Sequence, residues 1–139
     1  MSETKAPEGT YFDSERREFI RVRSELDIRY KLIPMTAKPC DGAIYEGVSQ
    51  NLGGGGLLLT GRVPSGDVVL DLLLQRVAIG INLFLSAGEP PVKALTRVAW
   101  VEAPPDGGDR CRIGLQFREI TKEDQDRILR YIIKAQLPG

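Results

Sequence analysis

From Leu26 to Leu32 every second residue is apolar: Leu26, Ile28, Tyr30 and Leu32, with Asp27, Arg29 and Lys31 between them. A strand turns successive side chains to opposite faces, so this period marks a strand with one buried and one wet face. The signature returns along the chain. Ala43 to Leu52 alternates, Leu57 to Thr60 is a short apolar run, Ile81 to Leu85 alternates, and Val92 to Val101 is a long strand containing Trp100. Arg110 to Phe117 sets Cys111, Ile113, Leu115 and Phe117 on one face. Turn-forming stretches separate these runs: Pro34, Lys38 to Gly42, Gly88 to Pro91 and Pro104 to Asp109. Short strands with Gly/Pro turns predict a small antiparallel barrel or sandwich.

Two segments depart from period two. Thr121 opens an element with Asp124 three residues on, and Ile128, Leu129, Ile132 and Ile133 fall at helical spacing. This predicts an amphipathic helix over 121–136, started by a capping threonine. Around Val68 to Arg76 two readings stand. Ser65-Gly66-Asp67 can cap a short helix, while the Val and Leu content suits a strand; the cap tips the reading towards helix.

The length of 139 residues fits one domain. Residues 1–14 read as a loose polar tail and 15–137 as the domain. Hydrophobic residues at 42% and charged residues at 27% suit a chain with a buried core. There is no histidine, which excludes histidine triads, histidine bases and histidine metal ligands. Cys40 and Cys111 lie outside any CxxC pair, so no zinc or redox motif is present; free thiols in a reducing cytosol are expected. The N-terminus lacks the apolar segment of a secretory signal, and no apolar run reaches the ~18 residues of a membrane span. A soluble cytoplasmic protein without membrane insertion is the expectation.

Nineteen Lys and Arg balance nineteen Asp and Glu, but not evenly along the chain. Within 16–23, Arg16, Arg17, Arg21 and Arg23 face Glu18 alone, a local charge of +3. A guanidinium offers a planar fork of donors that suits phosphate oxygens and the O6/N7 edge of guanine, and it stacks on aromatic faces. The second unusual feature is Asn51-Leu52-Gly53-Gly54-Gly55-Gly56. An asparagine at a strand end can donate to and accept from a base edge, and glycines let a ligand approach the backbone. No GK[ST] follows, so this is not a P-loop. Nor does the pattern suit a nucleic-acid polymer, which wants a basic groove interleaved with exposed aromatics; aromatics make up 6% here and net charge is zero.

The two features together resemble the PilZ domain family, whose members bind the bacterial second messenger cyclic di-GMP. Arg17 and Arg21 match the family's RxxxR motif. Asn51 and Gly56 match the ends of its D/N-x-S-x-x-G motif, with Gly53 at the serine position. Thr96 to Trp100 is similar to the family's strand ending in Val-x-Trp, and Arg112 to Phe117 to its G-x-x-F strand. The resemblance implies a six-stranded antiparallel barrel flanked by a C-terminal helix, mainly β. It implies a ligand held by Arg16, Arg17, Arg21, Asn51, Gly53 and Gly56. Trp100 would pack against a base, although the residue type favours a core position. Binding would order the arginine loop, and a protein partner would read the change, in regulation of motility or biofilm. No metal, further cofactor or catalytic residue is implied. Gly53 for serine removes one hydrogen bond, on the order of 1 kcal/mol, and four glycines add an ordering cost of up to ~1 kcal/mol each. Weakened binding is expected. The alternative is a degenerate member that serves as a ligand-free adaptor for a protein partner.

Overall fold

The computed structural model describes residues 25–136. Six strands form a closed antiparallel barrel: β1 (Leu26–Pro34), β2 (Ile44–Gln50), β3 (Gly56–Arg62), β4 (Val77–Leu83), β5 (Val92–Glu102) and β6 (Arg110–Ile120). Their order around the ring is β1-β2-β3-β6-β5-β4, and β4 pairs back onto β1. Two helices complete the fold, α1 (Gly66–Leu73) and α2 (Lys122–Gln136). Among the described residues, no helix is long and apolar enough to cross a membrane.

The alternation read in β1 is the alternation found. Ile28, Tyr30 and Leu32 are buried, while Asp27, Arg29 and Lys31 are exposed. Inward residues of the other strands join them in one core, including Leu57, Leu59, Ile79, Ile81, Leu83, Val98, Ile113 and Leu115. A six-stranded barrel is too narrow to leave this interior empty, so side chains must fill it at crystal-like density. Tyr30 is the bulkiest filler near β2 and β3. Its ring needs the room left by Gly47 and Gly61: a Cβ on Gly61 would stand 2.9 Å from two of its ring carbons. Its hydroxyl donates to the Arg62 carbonyl at 2.6 Å, and its ring stacks on Tyr45 with centroids 5.4 Å apart.

The helices close on the same core. In the ring β3 and β4 lie opposite each other, so the link between them crosses the barrel. The segment left open in sequence is indeed helical here. Ser65 is the N-cap, its hydroxyl accepting from Val68 N–H at 3.3 Å, and Leu72 is fully buried. The helix stops before Arg76 because Gln75 adopts φ 65°. Gln75 N–H then reaches Leu72 O at 3.2 Å and Arg76 N–H reaches Asp71 O at 2.9 Å, which is a Schellman closure made without glycine. The Gln75 side chain holds this unfavourable φ by donating to Val98 O at 3.0 Å.

In α2, Thr121 caps as the sequence suggests, accepting from Asp124 N–H at 3.1 Å. The Asp124 carboxylate does not turn back to the cap; it accepts from Lys93 N–H at 3.1 Å and so ties the helix to β5. Ile128 and Ile132 are 0% and 1% exposed, and burying each contributes about 1.5–3 kcal/mol.

Strand ends differ from the sequence reading in several strands. β2 stops at Gln50, not Leu52, because Asn51 takes φ 54°. β3 and β6 run on to Arg62 and Ile120. β4 covers 77–83 in place of 81–85, because Val77, Ala78 and Ile79 are all buried and so show no alternation. Both cysteines are free, Cys40 half-buried and Cys111 buried. Burial pushes both thiols above the usual range.

Burial also raises the Tyr30 phenol, from 10.0 to about 12. The protonated phenol is therefore favoured in the folded chain. That stabilisation is complete below pH 10, where an unfolded tyrosine is protonated too, and is lost as pH rises through about 12. Tyr30→Phe is expected to lower stability at neutral pH by about 1 kcal/mol, through the lost hydrogen bond. It should also flatten the decline between pH 10 and 12. Urea unfolding midpoints of the two proteins at pH 8 and at pH 11 check both effects.

Candidate functional site

The stretch from Asn51 to Gly56 links β2 to β3. Asn51 is one of two non-glycine residues with positive φ among those described, at 54°. Asparagine tolerates the left-handed region better than most residues. This turn ends the strand, while Leu52 beside it plugs the core at 1% exposure. The glycines that follow are not a free loop. Gly53 N–H bonds Gly56 O at 2.9 Å, and Phe117 N–H bonds Gly55 O at 2.9 Å. Gly56 lies so close to β6 that a Cβ there would strike the Leu115 carbonyl oxygen and stand 3.1 Å from the Gln116 Cα. Gly54 faces α2, 3.5 Å from Leu129 Cδ2 when given a Cβ. The ordering cost expected for four consecutive glycines is therefore mostly met in the fold itself.

On the outer face beside this loop, Leu58 of β3, Gly114 of β6 and Trp100 of β5 stand in one register row. The indole lies across Gly114, where a Cβ would meet its Cδ1 at 2.7 Å and its Cε2 at 2.5 Å. Period two from Val92 through Val98 would have sent Trp100 inward. A register shift between Val98 and Trp100 turns it out instead, to 44% exposure. Of the two roles open in sequence, core and surface, Trp100 takes the surface one.

A groove of about 500 Å³ runs between these parts, lined by Asn51, the four glycines, Trp100, Gly114, Arg112 and Gln116 among others. The volume falls in the ordinary range for small-molecule sites, about 300–1,000 Å³. Asn51, Gly53, Gly56 and Trp100, singled out separately in sequence, thus share one groove. Arg112 and Gln116 were not singled out. Both lie two residues from Gly114 on the same outer face, and that spacing was the available signal. Arg112 Nη1 sits 2.7 Å from Glu102 Oε1, and Gln116 Oε1 accepts from Arg97 Nε at 2.9 Å.

Arg16, Arg17 and Arg21 lie outside the described residues. The described chain starts next to the groove, though. Leu26 faces Ser49 across β1 and β2, and Glu25 accepts from Gln50 Nε2 at 3.0 Å, one residue from Asn51.

The model of the PilZ domain matches residues 15–134, and the chain belongs to that family. Solved structures share the fold. The inhibitor of motility of Bacillus subtilis (MotI/DgrA) superposes with a TM-score of 0.57 at 17% identity, covering 84% of this chain and 48% of that one. The PilZ domain of CeSA from a cellulose-synthesizing bacterium gives 0.52 at 16% identity, covering 82% and 95%. The MrkH–c-di-GMP complex of K. pneumonia gives 0.55 at 17% identity, covering 82% and 48%. The chain thus spans about half the length of the first and third of these proteins. No curated protein matches it at a significant level.

Trp100 is the only tryptophan, so its emission reports on the groove directly. Gly114→Ala places a methyl where the indole lies. The emission maximum is expected to move to the red and the melting temperature to fall; an unchanged spectrum would contradict the contact.

Proposed function

We propose that the chain is a receptor for cyclic di-GMP. The observation that carries this reading is the convergence of Asn51, the anchored glycines and Trp100 on one groove, beside the point where the chain continues into its arginine segment. Arg21 is four residues and Arg17 eight residues before Glu25. Chain geometry keeps their Cα atoms within about 14 Å and about 29 Å of it. Both guanidinium groups can therefore reach a ligand lying over Asn51.

The roles follow from chemistry. Arg17 and Arg21, with Arg16 as a third contact, take guanine edges and phosphate oxygens, and a guanidinium stacked on a base covers its π face. Asn51 pairs with a guanine edge. Gly53 and Gly56 let the ligand approach the backbone, and Trp100 packs against a base. The bound phosphates neutralise an arginine cluster that otherwise repels itself, so ligand and segment close together on the barrel. The family assignment supports this reading, as does the solved complex of MrkH with c-di-GMP, which has this fold. The protein would act in the cytoplasm as a binding module rather than an enzyme, and a protein partner would read the closed state. Motility or biofilm formation would be the output.

Gly53 favours a second reading, a ligand-free adaptor. Calorimetric titration with cyclic di-GMP, beside GTP and cyclic AMP, separates the two. Saturable heat with cyclic di-GMP alone is expected, together with a rise in melting temperature. The absence of both effects would favour the adaptor. Arg17→Ala or Arg21→Ala should remove most binding while the fold persists. Asn51→Ala should weaken it by roughly 5–150-fold, the worth of a base-edge pair of about 1–3 kcal/mol. Gly53→Ser should tighten it several-fold by restoring a hydroxyl donor. Parent-like binding by both arginine variants would show that the ligand sits elsewhere.

A further inference from the structure

The helix α1 is apolar on both sides. Its inner side carries Leu72, fully buried, and Asp71, 7% exposed and held by Lys38 at 3.5 Å and Arg76 at 3.4 Å. Its outer side carries Leu70 and Leu73, with Leu74 following at the C-cap; these are 52%, 44% and 50% exposed. Spacings of three and four residues gather the three leucines into one stripe. A surface helix ordinarily turns polar there, and a helix that is apolar all round is ordinarily covered.

The charges at the two ends of the stripe indicate what covers it. Asp67 lies exposed in the first turn and has no ion-pair partner among the described residues. Arg76 stands just past the Schellman closure, its side chain 54% exposed. Two copies of α1 laid antiparallel about a two-fold axis between residues 71 and 72 would bring Leu70 against the partner's Leu73. The same axis brings Val69 against the partner's Leu74 and Asp67 against the partner's Arg76. Each contact then occurs twice, as an interface between identical surfaces requires. Apolar residues meet at its centre and opposite charges at both rims, which is the usual arrangement of an interface.

We propose that the chain self-associates through this face, α1 against α1, as a two-fold dimer. Three half-exposed leucines fall well short of the roughly 800 Å² per partner of a standard interface. The dimer is therefore a weak one that forms in the upper micromolar range. It lies on a link between β3 and β4, apart from the groove at Asn51, so it does not depend on the ligand assignment.

Sedimentation velocity of the full chain from about 10 µM to about 1 mM tests this. The weight-average sedimentation coefficient is expected to climb from the monomer value towards that of a dimer. Leu70→Glu puts a carboxylate in the centre, and Asp67→Arg sets arginine against arginine at both rims. Each should hold the chain at the monomer value through the same range. Both positions are exposed, so the melting temperature should stay near that of the parent. A parent that remains monomeric at about 1 mM would overturn the proposal and leave the stripe to a different protein. Leu70→Glu and Asp67→Arg chains that associate like the parent would also overturn it.

Discussion

Aromatic rings seated on glycines organise this barrel from within and from without. Inside, Tyr30 occupies the room that Gly61 and Gly47 leave and donates its hydroxyl to the Arg62 carbonyl. Outside, the Trp100 indole lies against Gly114. In each case a missing Cβ lets a large ring touch backbone, where dispersion contacts are dense. The inner ring helps fill an interior too narrow to stay empty, and the outer one forms a wall of the groove. Any side chain at Gly61 or Gly114 would displace the ring that depends on it.

The groove draws its residues from stretches far apart in sequence. Asn51 and the glycines come from the β2–β3 link, Trp100 from β5, and Arg112, Gly114 and Gln116 from β6. Barrel closure brings them together, and two local departures from regular structure aim them. One is the positive φ at Asn51, which ends β2 and opens the turn. The other is the register shift before Trp100, which brings the indole out. Two irregular points of the backbone thus shape the groove, while the regular strands hold the frame.

Most of the fold could be read from the sequence because a strand with one wet face advertises itself by alternation. Leu26 to Leu32 shows this well. β4 was less legible because Val77 to Ile79 are buried without a break, so burial erased the period that would have marked them. Trp100 was ambiguous for a different reason. Its strand keeps strict period two up to Val98, and the shift that reverses it arises from pairing with β6, where Trp100 faces Gly114, far outside the reach of local pattern. Arg112 and Gln116 were passed over because their significance appears only once Gly114 is known to lie under the indole. The glycines of 53–56 were legible as a site, but the ordering cost assigned to them was too high. The bonds that fix them come from Gly56 and from Phe117, the latter on a strand that local reasoning does not place beside them.

Closure of the ring has a consequence for how such a domain can speak to other proteins. Each of the six strands is paired on both sides, β4 completing the circuit with β1. An open sheet offers a partner a row of unpaired amides and carbonyls, and strand addition there is a common and sequence-tolerant mode of recognition. Here such an edge is confined to strand overhangs, such as Arg97 to Glu102 of β5, which runs on past its pairing with β4. Over the rest of the barrel a partner must read side chains, on the outer faces of the strands, on the helices or in the loops. Recognition by side chains is more exacting than recognition by backbone. It is also easier for a bound ligand to alter, because covering a few side chains changes the whole message.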